Sequence, residues 1–244
     1  MLYPIATETR TVMDLNGIWK FKLDTNKGYD SAGVKEKWYE HPLADTINMP
    51  VPSAYNDLCH SPDFRDFIGY VWYEKEFRCR KNEDESVILR FGSVTHNAHV
   101  YVNGKHVTSH IGGFSPFEVD VTDVLVSGLN RITVAASNIL DYSTLPIGKY
   151  TEEELPGGGK RITNTPNFDF YNYSGIQRPV KMYTVHKHHI KDIFIMADYE
   201  ENSGIVHYKL ETTGGTRSIV EIYEEEQKLV AQGEGMEGVL RFDD

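Results

Sequence analysis

The chain has 244 residues, a hydrophobic share of 40%, a charged share of 25% and a formal net charge of −11. That length suits one large domain or two modest ones, either able to bury a core without disulfide staples. An acidic chain has no general attraction for a phosphate backbone, and its most basic stretch, Lys187-His188-His189 with Lys191, is short, so nucleic acid is excluded as a partner. Two cysteines, Cys59 and Cys79, make no disulfide framework and fit a reducing compartment. The start, Met1-Leu2-Tyr3-Pro4-Ile5, lacks the charged and apolar regions of a signal peptide, and no apolar run approaches a membrane span. A soluble, cytoplasmic chain is expected.

Trp19, Phe21 and Leu23 alternate with Ile18, Lys20 and Lys22, which predicts a half-buried strand over 15–23. Residues 28–45 are polar apart from Trp38 and Tyr39 and predict a short helix or a loop. Residues 49–52 are bracketed by prolines and cannot be a central strand. Strands follow at 71–77, at Val87, Leu89 and Phe91, and at Ala98, Val100 and Val102. The last stops at Asn103-Gly104, a strong hairpin signal because both central residues of a type I′ turn need positive φ. A return strand over 105–109, a turn or bulge at Gly112-Gly113, and strands carrying Phe117, Val119 and Val121, then Ile132, Val134 and Ala136, complete the pattern. Short strands at this spacing, with no long amphipathic helix, predict a jelly roll or sandwich.

Residues 141–168 read as one long irregular segment containing Leu155-Pro156-Gly157-Gly158-Gly159-Lys160. Strand signals resume over 180–185. About five more follow in residues 188–244, short of the roughly seven of an immunoglobulin-like sandwich, so that unit is expected to be cut short. Glu224-Glu225-Glu226 reads as a solvated hairpin end.

Six segments in order carry a family resemblance. They are L-N-G-I-W-K-F-K-L at 15–23, V-P-S-A-Y-N-D at 51–57, G-Y-V-W-Y-E-K-E-F at 69–77, V-T-H-N-A-H-V-Y-V-N-G at 94–104, G-G-F-S-P-F-E-V-D-V-T at 112–122 and D-F-Y-N-Y-S-G-I-Q-R-P at 169–179. Together they resemble the amino-terminal region of glycoside hydrolase family two, most closely its bacterial β-glucuronidase branch. The resemblance implies an all-β chain. A jelly-roll, galactose-binding-like β-sandwich over 1–185 precedes a partial, truncated immunoglobulin-like β-sandwich over 186–244. It implies a retaining parent enzyme acting on β-D-glucuronides through two glutamates in a (β/α)₈ barrel that this chain lacks. The chain is then a non-catalytic scaffold, with no cofactor, the missing barrel as its partner, a glucuronide as substrate of the whole enzyme, and a homo-oligomer as a possible assembly. The alternatives are a stand-alone carbohydrate-binding module and the front end of a family-two β-galactosidase or β-mannosidase.

One substrate contact is implied by the resemblance. Asp169 opens its motif where the family places an aspartate that accepts hydrogen bonds from sugar hydroxyls; Phe168, before it, stands where some relatives have a histidine. An ionised carboxylate offers only acceptors, which suits vicinal hydroxyls. Asn172, Tyr173 and Arg178 share the motif, either lining the site or, as such residues more often do, bracing the loop. The histidines at 96, 99, 106 and 110 lack a cysteine or carboxylate that completes a metal set, and those at 186, 188 and 189 read as a surface junction. Trp19, Trp38 and Trp72 read as core rather than as sugar-stacking faces, and the two cysteines as inert.

Overall fold

A computed structural model of the chain describes residues 3–80, 82–215, 217–224 and 227–243. Glu225 and Glu226 of the acidic run lie outside the described residues. The chain is all-β and divides into two compact units, residues 4–184 and a smaller one built from residue 185 onward.

The larger unit carries β1 (Val12–Asp14), β2 (Gly17–Leu23), β3 (Ile47–Val51), β4 (Tyr70–Cys79), β5 (Glu85–Phe91), β6 (Val94–Thr95), β7 (Asn97–Val102), β8 (Lys105–Ile111), β9 (Phe117–Asp120), β10 (Gly128–Ser137), β11 (Gly148–Glu154), β12 (Lys160–Pro166), β13 (Gly175–Ile176) and β14 (Val180–His186). A six-stranded antiparallel sheet has the order β3-β2-β4-β10-β7-β8, and a four-stranded sheet the order β1-β14-β5-β9. Their facing sides share one core. Trp19, Phe21, Tyr73, Val100, Ile132 and Val134 from the larger sheet meet Leu89, Phe91 and Val180 from the smaller, all at most 1% exposed. Each such side chain contributes about 1.5–3 kcal/mol on burial. Pro50 sits in β3, an edge strand that needs no donor on its outer side. Asn103 and Gly104 adopt φ of 50° and 80°, closing the β7–β8 hairpin as their residue types require.

The outer face of the six-stranded sheet is covered by its own chain. Residues 28–45 form a one-turn helix, α1 (Ala32–Lys35), and a 3₁₀ turn at Trp38–Glu40. They close a second small core of Leu43, Trp72, Tyr101 and Ala135, flanked by Trp38, Tyr39 and Tyr70. Gly33 lies so close to Trp72 that a Cβ there would come within 2.4 Å of the indole. Two buried carboxylates fix this cover. Asp24 accepts from Ser31 Oγ at 2.6 Å, the Ala32 and Gly33 N–H groups, the Asn26 N–H and Trp72 Nε1. Glu74, 1% exposed, pairs with Lys20 at 2.9 Å and accepts from the Leu43 N–H. Trp19 and Trp72 are 1% and 0% exposed, so neither offers a ring face to a sugar. Trp38 is half-buried, with the Lys22 ammonium 4.1 Å from its ring centre.

The irregular stretch expected over 141–168 needs correction. It contains the β11–β12 hairpin, in register from Gly148↔Pro166 to Glu154↔Lys160. The residues are polar and largely exposed, so there is no hydrophobic alternation to see. Cross-strand polar pairs, Thr151 with Thr163 and Lys160 with Glu152, hold it instead.

Among the described residues the smaller unit has five strands: β15 (His189–Glu200), β16 (Ser203–Thr213), β17 (Ile219–Tyr223), β18 (Leu229–Glu234) and β19 (Glu237–Asp243). A β15-β16-β19 sheet and a β17–β18 hairpin enclose Tyr208, Leu210 and Leu240 against Val220, Ile222 and Ala231. This is the partial immunoglobulin-like sandwich expected after the jelly roll.

Candidate functional site

The turn over residues 167–174 joins β12 to β13 and carries every site residue predicted from the sequence except Arg178. Asp169 is exposed and makes no hydrogen bond to the other described residues, so its carboxylate is available. It lies between Phe168, 59% exposed, and Phe170; these rings pair at 5.6 Å, and Phe170 meets Phe114 edge-on at 6.4 Å.

The predicted supporting residues have different roles. Asn172 is a brace: Nδ2 donates to the Asn138 carbonyl at 2.8 Å, Oδ1 faces His96 Nε2 at 2.6 Å, and its carbonyl accepts from Asn56 Nδ2 at 2.8 Å. Arg178 donates to the Phe114 carbonyl at 2.8 Å. Tyr173 is exposed, its ring edge-on to Tyr171 at 4.7 Å and its carbonyl accepting from Gln177. Asn172 and Arg178 thus hold the turn and its Phe114 neighbour, whereas the Asp169 carboxylate and the Tyr173 ring are presented to solvent.

Sequence reasoning missed four residues here: Asn56, His96, Asn138 and Asn164. Asn56 sits in the short helix α2 (Tyr55–Leu58). Its Oδ1 accepts the Ser174 N–H, and its carbonyl accepts the Tyr171 hydroxyl. Asn138 follows β10. Its amide donates to the Phe67 carbonyl at 2.6 Å and to Tyr55 Oη, accepts the Gly69 N–H, and its carbonyl also takes Asn164 Nδ2 from β12. The four asparagines and Tyr171 line a cleft of about 220 Å³ beside the exposed Arg65–Asp66 pair. Asn56 and His96 were within reach, since both lie in segments that carry the family resemblance. Asn138 and Asn164 gave no local signal.

The histidines do not converge on a metal set: among the described residues no group of three or more His, Cys, Asp or Glu could hold a metal ion. His99 Nδ1 and His106 Nε2 instead share the Ser109 hydroxyl, each at 2.8 Å.

Burial holds the imidazoles of His96 and His99 below the ordinary histidine value, His106 adding to the effect at His99. The fold thus takes up these protons less readily than the unfolded chain, whose histidines titrate near pH 6.5. The unfolded state then binds more protons, so stability falls as pH drops below about 6.5 towards the folded values. Asp66, held low by Arg65, loses its contribution only below about pH 4, the ordinary carboxylate range. Thermal melts between pH 7 and 5 are expected to show a falling midpoint that His96→Gln partly flattens. An unchanged midpoint across that window would rule out this coupling.

The sugar-binding domain of glycosyl hydrolases family 2 matches residues 12–186. The chain is 42% identical to the β-glucuronidase of Paenibacillus borealis over 248 residues, covering 100% of this chain and 41% of that one. It is 37% identical to the β-glucuronidase of Homo sapiens over 257 residues, covering 99% and 39%. Among solved structures it superposes on an uncultured Clostridium sp. β-glucuronidase with a TM-score of 0.85 at 42% identity, covering 100% and 41%. It also superposes on the Ruminococcus gnavus β-glucuronidase in complex with D-glucuronic acid, with a TM-score of 0.86 at 37% identity, covering 99% and 41%. The chain belongs to glycoside hydrolase family 2. It spans about two fifths of the length of these relatives. No helix among the described residues is long and apolar enough to cross a membrane.

Proposed function

We propose that this chain is the non-catalytic amino-terminal part of a retaining β-glucuronidase, with a jelly roll over 1–185 and part of an immunoglobulin-like domain over 186–244. The remaining length of the enzyme supplies a (β/α)₈ barrel with its two glutamates about 5–5.5 Å apart. In this reading the chain is a scaffold that also delivers one group to the barrel mouth: Asp169 accepts hydrogen bonds from hydroxyls of a β-D-glucuronide, with Tyr173 beside it and Asn172 and Arg178 supporting the turn. The observation that carries the proposal is an unbonded, exposed carboxylate on a turn whose Tyr171, Asn172 and Ser174 side chains are tied down. The buried state of Trp19 and Trp72 counts against a free-standing module that stacks sugars on those rings.

The test is hydrolysis of an aryl β-glucuronide. The chain alone is expected to be silent. Mixed with, or joined to, the part of the P. borealis relative that follows the matched region, it is expected to be active. Asp169→Ala in that assembly removes charge-assisted hydrogen bonds worth about 1.5–3 kcal/mol, a loss of roughly 10- to 150-fold in kcat/KM. Activity from the chain alone, or an Asp169→Ala assembly as efficient as the parent, would overturn the proposal.

A further inference from the structure

His96 is 0% exposed, lies beneath the site turn, and has no part in the function proposed above. Its protonation state follows from its neighbours. The Asn138 carbonyl can only accept, so the Asn172 atom 2.8 Å from it is the Nδ2 donor. The other end of that amide, Oδ1, therefore faces the imidazole at 2.6 Å. Oδ1 can only accept in turn, so His96 Nε2 carries the hydrogen. Among the described residues Nδ1 has no hydrogen-bond partner, and it faces Gly113, where even a Cβ would come within 2.7 Å of it. A second proton on Nδ1 would put a buried charge where nothing pairs it.

The imidazole reaches the stretch that follows Asp169 at two points. It holds Asn172, three residues on. Its ring also meets Phe114 edge-on at 5.9 Å, and Phe114 meets Phe170, the residue after Asp169. On the other side of Asp169 the Asn167 N–H donates to the Ile147 carbonyl at 3.2 Å. Consecutive Cα atoms lie about 3.8 Å apart, so these tethers limit how far the carboxylate can move.

We infer that His96 is a positioning residue for the Asp169 turn: as the Nε2–H tautomer it holds the Asn172 amide in the orientation that also ties the turn to the Asn138 carbonyl. The functional part of this inference rests on the reading of Asp169 as a sugar contact. Glutamine places an N–H donor close to the position of Nε2, so His96→Gln keeps the tether, whereas His96→Leu and Asn172→Ala break it.

The first measurement uses the chain itself. Amide hydrogen exchange in peptides covering 167–173 is expected to rise about tenfold in His96→Leu and Asn172→Ala, the loss of one hydrogen bond's contribution, and to return towards the parent rate in His96→Gln. Should His96→Leu fail to fold, Asn172→Ala leaves the imidazole in place and tests the same tether. Unchanged exchange in Asn172→Ala, or equal damage from Gln and Leu at position 96, overturns the inference. The second measurement uses the assembled enzyme and an aryl β-glucuronide. His96→Leu is expected to raise KM about tenfold with kcat held, and to add nothing in an Asp169→Ala background. If Asp169→Ala raises KM and His96→Leu does not, the inference fails and the sugar-contact reading stands. If His96→Leu raises KM while Asp169→Ala does not, His96 acts through something other than Asp169, and the inference fails with that reading.

Discussion

Replacing Asp24 with alanine is expected to destabilise the larger unit by about 3 kcal/mol or more, since each buried donor left without a partner costs about 1–3 kcal/mol. Asp24 is 4% exposed, and its two oxygens serve five donors. Two of them, the Ala32 and Gly33 N–H groups, open the first turn of α1, where no intrahelical acceptor exists. A third is the indole N–H of Trp72, a side chain that is 0% exposed and loses its acceptor. Removing the carboxylate therefore loosens the whole cover over the outer face of the six-stranded sheet. In a unit of this size the melting midpoint should fall by roughly 6–12 °C. Asp24→Asn keeps acceptor capacity on one atom only and should fall between. Denaturant unfolding of the chain, read at the tryptophans, decides the matter; a loss below about 1 kcal/mol would mean that the segment over 24–46 holds without its anchor.

The second large effect is expected at Asn138. Asn138→Asp is nearly isosteric, yet the carboxylate cannot donate to the Phe67 carbonyl or to Tyr55 Oη, and it sets a charge 2.6 Å from the former. A loss of about 3 kcal/mol is expected from the new unpaired groups and the buried charge. The effect should reach the site, because the Asn138 carbonyl holds both Asn164 and Asn172. In the assembled enzyme KM should rise along with the loss of stability. A variant as stable as the parent would show that the turn is held elsewhere.

How far the sequence revealed these features depends on where each side chain goes. Trp19, Phe21, Leu89 and Val100 announced their strands because they are buried while alternate positions such as Lys20, Lys22, Ile88 and His99 are only partly so. Asn103-Gly104 announced its turn because few other pairs tolerate two positive φ angles. The β11–β12 hairpin was invisible because it is exposed and polar. The cover over 28–45 was read only as a short helix or loop. Its anchors, Asp24 and Glu74, are single carboxylates whose partners lie up to about fifty residues away. Asp169 was found only through the segment that carries it, since an isolated aspartate in a turn has no distinguishing pattern. Asn138 could not be found, because its importance rests on contacts with residues 55, 67, 69, 164 and 172, which only the fold brings together.

The β11–β12 hairpin has a last consequence. At its base Asn164 is fastened to Asn138, the same carbonyl that fastens the site turn. At its tip a Cβ on Gly157, Gly158 or Gly159 would meet nothing within 4 Å. The hairpin is therefore moored at the site and open to solvent at its far end. A fluorophore or an antibody epitope grafted at Gly157 would displace no neighbouring atom of the fold.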